Sequence, residues 1–418
     1  MTYRDSPERW TKGLPLPAPA DALLMDVARR VQLSPTKHGE AEKHYKALCT
    51  WVDRPGSPLE GKVIACYPGG SFATGTAIAS RVRKDQHDVD VTIELNVPPF
   101  SDPATILSLL FAAINGEPGS RYRGAVKLNS RCVTVTYEDG VRVDLMPIAR
   151  LAQQPEKAGH LFHWRSEDAQ SYHKPVNPWG FADHFNRETA LDPVFAAMFE
   201  QRALAMDSML AKSATDPLPE HVPLTEKAAR VVALQLIKRH RDLRHRSRRG
   251  RKPPSVVLAA LALEVSPTHS GLADEVISIA SHISERLREA GRQHEVICVR
   301  NPAFDPDIFT DRWPANVDDQ TLYVNDLAHL TRNLKRLKQD QDTSLVEMKA
   351  ILDELFGETA AGFAMDKMLE RSHRAVETGT MRFGPSGRII TAGAPAIVMA
   401  TSTPARASTE MGGGCIPD

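Results

Sequence analysis

Asp88 and Asp90 stand two positions apart in a stretch that alternates between apolar and polar residues. Residues i and i+2 of a β-strand point to the same side of the sheet, so both carboxylates are expected on one face. Two carboxylates this close repel each other, which favours a cation bound between them. Mg²⁺ prefers hard oxygen ligands of this kind. The solvated face of an edge strand is an alternative, so the pair alone does not establish a metal site.

A third carboxylate, Asp144, comes from a predicted hairpin. Residues 132–137 alternate in polarity, residues 138–140 form a turn, and the chain returns at residues 141–145. Pairing within one sheet would bring Asp144 beside the first two aspartates. Three carboxylates around two metal ions suit phosphoryl transfer. One ion lowers the pKa of the attacking hydroxyl, and both stabilise negative charge on the phosphorus and the leaving group.

A glycine-rich segment precedes the aspartates. It contains Gly70 and Ser71 after a short apolar strand, and Gly75 and Thr76 before residues 77–83, which are predicted to be helical. Glycines let phosphate oxygens approach backbone amides, and a serine hydroxyl or a helix N-terminus adds further binding groups. The segment matches neither the Walker A nor the GxGxxG pattern. Together with the three aspartates, it favours a metal-dependent nucleotidyltransferase that binds nucleotide through these four residues.

The elements that must position these residues follow an α+β pattern. Strands are predicted at residues 63–67, 89–95, 132–137 and 141–145, and helices at residues 20–31, 34–51 and 102–115. The later part is predicted to be helical at residues 194–211, 226–243, 254–264, 272–289, 319–341 and 344–356. The first half therefore predicts a small mixed sheet with helices, and the second half a helix-rich domain.

The motif residues resemble those of the bacterial cGAS/DncV-like nucleotidyltransferases (CD-NTases). The resemblance is carried by Tyr67-Pro68-Gly69-Gly70-Ser71, by Asp88-Val89-Asp90-Val91 and by Val143-Asp144-Leu145-Met146-Pro147, and extends over most of the chain. It implies a polymerase-β-like fold with a catalytic domain at residues 1–190 and a helical substrate-binding domain at 191–373. It also implies synthesis of a cyclic di- or trinucleotide second messenger that acts on a downstream effector in antiphage (CBASS) defence. Residues 374–418 are rich in small residues and proline with few charges, so a flexible tail is expected there.

The resemblance also assigns roles to individual residues. Ser71 would hold the phosphates of the donor, which would be ATP or another NTP, and Asp88 and Asp90 would bind two Mg²⁺ or Mn²⁺ ions. Asp144 would bind the catalytic metal and help to activate the acceptor hydroxyl. Lys238 and Ser255 would contact the donor triphosphate. Without the resemblance, a surface lysine and a helix N-cap serine are the simpler interpretations of these last two residues.

Two other functions are compatible with the motif. A polymerase-β-like transferase could add nucleotides to RNA, to a protein or to a small molecule, and an inactive homologue could bind nucleotides as a regulator. The three intact aspartates argue against the inactive regulator, because clustered carboxylates are costly to keep without a metal. Neither the base nor the linkage of a product follows from residue spacing.

Composition narrows the function further. The 52 basic and 52 acidic residues give a formal charge of zero, so no global field steers the chain towards nucleic acid or an anionic membrane. The segment 238–252 is locally rich in arginine and lysine, but no aromatic residue is interleaved there for base stacking. Nucleic-acid binding by this segment is therefore not favoured.

The remaining sequence features concern location and the tail. The N-terminus lacks the apolar core of a signal peptide and no apolar run is long enough to span a bilayer, so a cytoplasmic protein without membrane contact is expected. The five scattered cysteines are expected to be reduced thiols. Gly412, Gly413 and Gly414 lie close to the C-terminus, where a CBASS accessory protein could act on them, although a flexible spacer is the alternative.

Overall fold

The first half of the chain forms a seven-stranded mixed sheet with helices. The computed structural model describes residues 19–79, 87–116, 120–165, 170–189, 227–339, 343–377, 382–383, 389–390 and 403–404. The strands are β1 (Val63–Pro68), β2 (His87–Leu95), β3 (Val126–Leu128), β4 (Val133–Thr136), β5 (Val141–Arg150), β6 (Gly159–Arg165) and β7 (Gln170–Val176). The helices are α1 (Pro19–Val31), α2 (Pro35–Val52), α3 (Gly70–Ala73), α4 (Pro103–Asn115) and α5 (Pro178–Glu188).

The sheet is organised around β5. One edge of β5 pairs with β2 in parallel, and the other edge pairs with β4 near its start and with β6 near its end, both antiparallel. Strand β1 pairs with the far edge of β2, β3 with β4, and β7 with β6. The α+β class and the predicted hairpin of β4 and β5 are confirmed.

The two faces of β2 and β5 differ in polarity. Val89, Val91, Ile93 and Leu95 of β2 are buried, and they share an apolar core with Leu145 of β5. Helices α2 and α4 also contribute to this core. Because neighbouring residues of a strand point to opposite faces, the apolar packing leaves the aspartates of β2 and β5 on the other face.

Local sequence signals explain where three of these helices begin. Ser34, Asp102 and Asn177 each accept a hydrogen bond from a backbone N–H in the first turn of α2, α4 and α5, and each is followed by proline. A side-chain oxygen at the N-cap satisfies an otherwise unpaired N–H, and proline there has no N–H to satisfy.

The second half is mainly helical, as predicted. It contains α6 (Ala229–Arg244), α7 (Ser255–Leu263), α8 (Leu272–Arg292), β8 (Arg300–Asn301), β9 (Phe304–Ile308), α9 (Val317–Gln339), α10 (Leu345–Phe356) and α11 (Glu358–Glu377). Their apolar faces form one core, and α1 belongs to it: Leu23, Leu24 and Val27 are buried there. The first described helix therefore packs with the helical part of the protein. The proposed boundary near residue 190 stays a prediction.

Three expectations from the sequence are wrong in detail. Residues 77–79 are extended, with Ile78 bridged to Gln32, and the helix lies instead before Gly75, at α3. Helix α11 was not predicted, and it continues past the proposed start of the tail at residue 374. Cys49 and Cys66 are joined in a disulfide between α2 and β1, because the packing of that helix on that strand brings their Cα atoms to 6.2 Å.

Two predicted features fall outside the described residues, namely the helix at residues 194–211 and the triglycine at residues 412–414. Within the proposed tail, three two-residue strands are described, namely β10 (Arg382–Phe383), β11 (Ile389–Ile390) and β12 (Thr403–Pro404), and they pair in the order β11-β10-β12. Among the helices that the structure describes, none is both long and apolar enough to cross a membrane.

Packing of α1 against the helical core gives a stability prediction. Leu24→Ala should lower the free energy of unfolding by about 2–5 kcal/mol, because Leu24 is fully buried and its truncation leaves a cavity. The matched control is Leu369→Ala on α11, where the leucine is 51% exposed and the loss should stay within about 0.5 kcal/mol. Urea unfolding of the two variants measures the difference. Equal losses would show that α1 does not belong to this core.

Candidate active site

Strand register brings two of the predicted carboxylates side by side. In the parallel pair of β2 and β5, Asp90 lies opposite Asp144 and Asp88 lies opposite Arg142. In the hairpin, Thr134 of β4 lies opposite Asp144 from the other side. All five residues therefore share the polar face of the sheet, and the register brings Asp90 next to Asp144.

The carboxylates differ in their surroundings. Asp144 accepts a short hydrogen bond from the Thr134 hydroxyl, while the more exposed Asp88 lies 3.6 Å from the Arg142 guanidinium. The Asp90 carboxylate faces the cleft, where neighbouring protein atoms displace much of its hydration water. This desolvation, together with the nearby charges of Asp144 and Asp88, raises the pKa of Asp90 to about 6. Desolvation also raises the pKa of Asp144.

The glycine turn is fitted directly against β2. The Gly69 amide donates to the Asp90 carbonyl oxygen at 2.7 Å, which holds the turn on the strand. Gly70 has a φ of 51°, and a Cβ atom placed there would lie 2.1 Å from the Asp90 Oδ2. Both the left-handed backbone and the close approach of the carboxylate require glycine at this position. Ser71 follows in α3 and is half-buried in the cleft wall.

Lys238 lies in the interior. Its Nζ donates to the Thr76 carbonyl oxygen at 2.6 Å and lies 3.4 Å from the Thr76 hydroxyl oxygen, so α6 is tied to the glycine segment. Burial lowers the pKa of Lys238 to about 7, with a further contribution from the charge of Arg241. The interpretation as a surface lysine is wrong, because the helical part covers this side chain. Thr76 is itself buried, and the Gly75 carbonyl oxygen accepts from Lys227 Nζ at 3.2 Å.

Ser255 is the first residue of α7, and Pro254 takes the N-cap position that had been expected for it. The Ser255 hydroxyl oxygen accepts from Arg241 Nη1 at 3.1 Å, and the same Nη1 donates to the Pro253 carbonyl oxygen at 2.8 Å. Six of the predicted site residues line one cavity of about 290 Å³: Ser71, Asp88, Asp90, Asp144, Lys238 and Ser255. Segments that are far apart in the sequence thus meet at the aspartates.

A second cavity, of about 270 Å³, lies beside the same two aspartates. Asp90 and Asp144 line both cavities, and Gly70 lines the second. Most of the other walls of the second cavity are apolar: Val91, Met146, Leu161, Val176, Pro178, Phe181, Ala182, Val256 and Phe309. Its polar walls include Arg131, Lys174 and Asp307. Asp90 and Asp144 therefore lie between two cavities whose linings differ in polarity.

Sequence reasoning missed several residues of this site. Thr134 could have been found, because the predicted hairpin register already places it opposite Asp144. Arg142 could also have been found, since it precedes Asp144 by two positions on the same strand face. Arg131, Lys174 and Asp307 carry no such signal. They lie in separate segments of the chain that only the tertiary fold brings together.

Part of the basic segment at residues 238–252 is paired with carboxylates within the protein. Arg244 and Arg248 both pair with the buried Asp326, and Lys252 pairs with Asp242 at 2.9 Å. Paired cations contribute little to a long-range field. This pairing weakens the case for nucleic-acid binding by the segment.

The donor set of the three aspartates fits a divalent cation that prefers oxygen ligands. Asp88, Asp90 and Asp144 supply only carboxylate oxygens, which suit Mg²⁺ or Mn²⁺ rather than a thiolate-binding or imidazole-binding metal. Within the part of the chain that the structure describes, no three potential ligand side chains already stand in ion-binding geometry. Asp88 faces Arg142 and Asp144 faces Thr134, so both carboxylates have protein partners to exchange for a cation.

Comparison with known proteins gives consistent matches. Residues 20–175 match the Second Messenger Oligonucleotide or Dinucleotide Synthetase (SMODS) domain. The cyclic dinucleotide synthase CdnG of Bradyrhizobium diazoefficiens is 32% identical over 95% of this chain and 96% of its own length. A c-di-GMP synthase of Roseivirga ehrenbergii is 24% identical over 83% of this chain and 86% of its own. The structure of the Bradyrhizobium CdnG in complex with GTP superposes with a TM-score of 0.71 at 31% identity, covering 84% of this chain and 99% of that one.

The contact between Gly70 and Asp90 gives a prediction about turnover. Gly70→Ala should lower activity by at least about 100-fold, because the new methyl group displaces the Asp90 carboxylate and a shift of about 1 Å in a reacting group is costly. Steady-state product formation from an NTP with Mg²⁺ measures the effect.

Gly61→Ala is the matched control for backbone strain. Gly61 also has a positive φ, of 67°, but nothing lies within 4 Å of a Cβ atom there. Its variant should lose a little stability and keep its activity. Similar losses of activity in both variants would mean that left-handed strain, rather than contact with Asp90, explains the requirement for glycine.

Proposed function

Because the chain belongs to the bacterial cGAS/DncV-like nucleotidyltransferases, the family of the cyclic dinucleotide synthases, we propose that it makes a guanine-containing cyclic dinucleotide from GTP with two divalent cations. It is a nucleotidyltransferase that synthesises a cyclic oligonucleotide. The observation that carries the proposal is the pairing of Asp90 with Asp144 between two cavities. One nucleotide can then donate and a second can accept at the same carboxylates.

The first cavity is the proposed site of the donor triphosphate. Ser71 offers a hydroxyl to a phosphate oxygen, and Ser255 offers another from the start of α7. Lys238 brings a cation to the same wall, and a neighbouring phosphate would favour its protonated form. Gly75 and Thr76 support this wall through their contacts with Lys227 and Lys238. Their direct contact with nucleotide stays a prediction.

The three aspartates are the proposed ligands of the metal ions. Asp88 and Asp90 would hold two Mg²⁺ or Mn²⁺ ions, and Asp144 would share the one nearer the acceptor. When bound, the ions would lower the pKa of the acceptor hydroxyl and stabilise charge on the transferring phosphorus and the pyrophosphate. Thr134 orients Asp144 by its hydrogen bond, and Arg142 lies beside Asp88 on the same face.

Two relatives of this chain favour GTP over ATP as the proposed substrate. One of them is named a c-di-GMP synthase, and CdnG was solved in complex with GTP. The transfer of nucleotides to RNA, a protein or a small molecule is the alternative. It predicts products that appear only when such an acceptor is added.

A role in antiphage defence follows from the family resemblance and belongs to the same proposal. It would need a downstream effector that responds to the cyclic product. The accessory protein would act on the triglycine at residues 412–414, which lies outside the described part of the chain. The cytoplasmic location also stays a prediction from the sequence.

Mass spectrometry of the products tests the proposed function. The purified protein is incubated with each NTP, and with all four together, in the presence of Mg²⁺ or Mn²⁺. A cyclic, phosphatase-resistant product should form from GTP without an added acceptor. Linear products that require added RNA would support the alternative instead.

The double variant Asp88→Asn/Asp90→Asn tests the metal-binding role. Product formation should fall by at least about 10³-fold, because the charges that hold the cations are lost. Without metal, thermal unfolding should occur at the same temperature or slightly higher, because Asp88, Asp90 and Asp144 no longer repel one another. The control is Asp183→Asn on α5, a surface aspartate paired with Arg187. Unchanged turnover in the double variant would refute the mechanism.

A further inference from the structure

Asp307 is a buried carboxylate that the proposed chemistry does not use. It lies on β9 with its side chain 4% exposed, and it lines the second cavity. Its Oδ2 accepts from the Asn177 backbone N–H and from Asn301 Nδ2, both at 3.1 Å. Its Oδ1 lies 3.4 Å from Lys174 Nζ, which is the contact described for this oxygen among the residues of the structure. One oxygen is therefore fixed by the fold, while the other keeps acceptor capacity.

Two cations stand beside this carboxylate. Lys174 Nζ lies between Asp307 and Asp311, at 3.4 Å from an oxygen of each. The Arg131 guanidinium pairs with Asp311 and donates to the Tyr172 hydroxyl at 2.7 Å and to His163 Nδ1 at 3.0 Å. These contacts hold both cations in the cavity wall. The wall of the second cavity thus places the Asp307 carboxylate, an acceptor, next to the donors Lys174 and Arg131.

The size and lining of the second cavity suit a flat, mainly apolar group. Its volume of about 270 Å³ is slightly below the roughly 300–1,000 Å³ of pockets that hold drug-sized ligands. It has room for a nucleobase, whereas a whole nucleoside triphosphate must extend towards the aspartates. The rings of Phe181 and Phe309 pack edge to face, with their centroids 5.0 Å apart, and they offer aromatic surface to a base.

Guanine has the hydrogen-bonding pattern that complements this wall. Its N1–H and N2 amino group are adjacent, nearly parallel donors, so a single carboxylate oxygen can accept from both, and its O6 and N7 are acceptors that suit a cation. Adenine would place the N1 lone pair against the carboxylate and its N6 amino group against the cations. A buried site built for one pattern rejects the other, because its own polar groups would be left unpaired.

We propose that Asp307, with Lys174 and Arg131 beside it, reads the guanine base of the nucleotide bound on the Asp144 side of the active site. The inference rests on the proposed function and adds a base-reading residue to it. Asp307 accepts from N1–H and N2–H through Oδ1, and the cations face O6 and N7. Lys174 on β7 and Asp307 on β9 thereby select guanine, whereas the catalytic aspartates lie on β2 and β5.

The test compares GTP with ITP, which lacks only the N2 amino group. Calorimetric binding and kcat/KM are measured for both nucleotides with the wild-type protein and with Asp307→Asn. The wild type should prefer GTP by about 10-fold or more, as expected for a hydrogen bond to a charged acceptor. In Asp307→Asn the preference should fall to within about 3-fold, since the amide no longer accepts that bond as a carboxylate does. If Asp307 had a purely structural role, the variant would bind and use both nucleotides less well by the same factor, and the preference for GTP over ITP would be unchanged.

Asp305→Asn is the matched control. Asp305 lies on the same strand, is 82% exposed and contacts Arg300, so its variant should keep the wild-type ratio. Thermal unfolding verifies that each variant is folded. N1-methyl-GTP provides a second test that needs no variant: the wild type should use and bind it at least about 10-fold less well than GTP.

The outcomes separate this inference from the proposed function. An Asp307→Asn variant that keeps the full preference for GTP over ITP, or a wild type that accepts N1-methyl-GTP as well as GTP, overturns the base-reading role. A wild type that makes no cyclic product from GTP overturns the proposed function. The binding preference for GTP over ITP still tests Asp307 in that case.

Discussion

The parallel pairing of β2 with β5 is the constraint on which the rest of the site depends. Its register sets Asp90 beside Asp144, and the apolar core under the sheet fixes which face both side chains take. A slip of one residue would turn Asp90 into the core and Val91 into the cleft. The buried valines and leucines of these strands therefore position the catalytic groups as well as stabilise the sheet.

Two further contacts attach the rest of the site to this pair of strands. The glycine turn lies against Asp90 so closely that Gly70 has no room for a side chain, and Lys238 reaches from α6 to Thr76. The first contact sets where Ser71 stands relative to the carboxylates. The second joins the helical part to the phosphate-binding segment. Desolvation, together with repulsion by Asp144 and Asp88, raises the pKa of Asp90, and a bound cation would offset both effects.

The sequence predicted what depends on local pattern and failed where distant segments meet. Alternating polarity predicted the face of Asp88 and Asp90, and the hairpin predicted the strand of Asp144. The helix expected after Gly75 was wrong, because tertiary pairing of Ile78 with Gln32 outweighs a weak local preference. The cavity wall that includes Lys174 and Asp307 had no signal, since its members come from strands more than a hundred residues apart. The burial of Lys238 was missed for the same reason.

Counting the Mn²⁺ ions bound in the presence of a non-hydrolysable GTP analogue tests the role of the β2–β5 pair most directly. Isothermal titration calorimetry is suited to this measurement, with wild-type protein compared with Asp144→Asn. Each wild-type chain should bind two ions, and the variant should lose one ion or bind it with markedly lower affinity. An unchanged number and affinity of ions in Asp144→Asn would contradict this prediction.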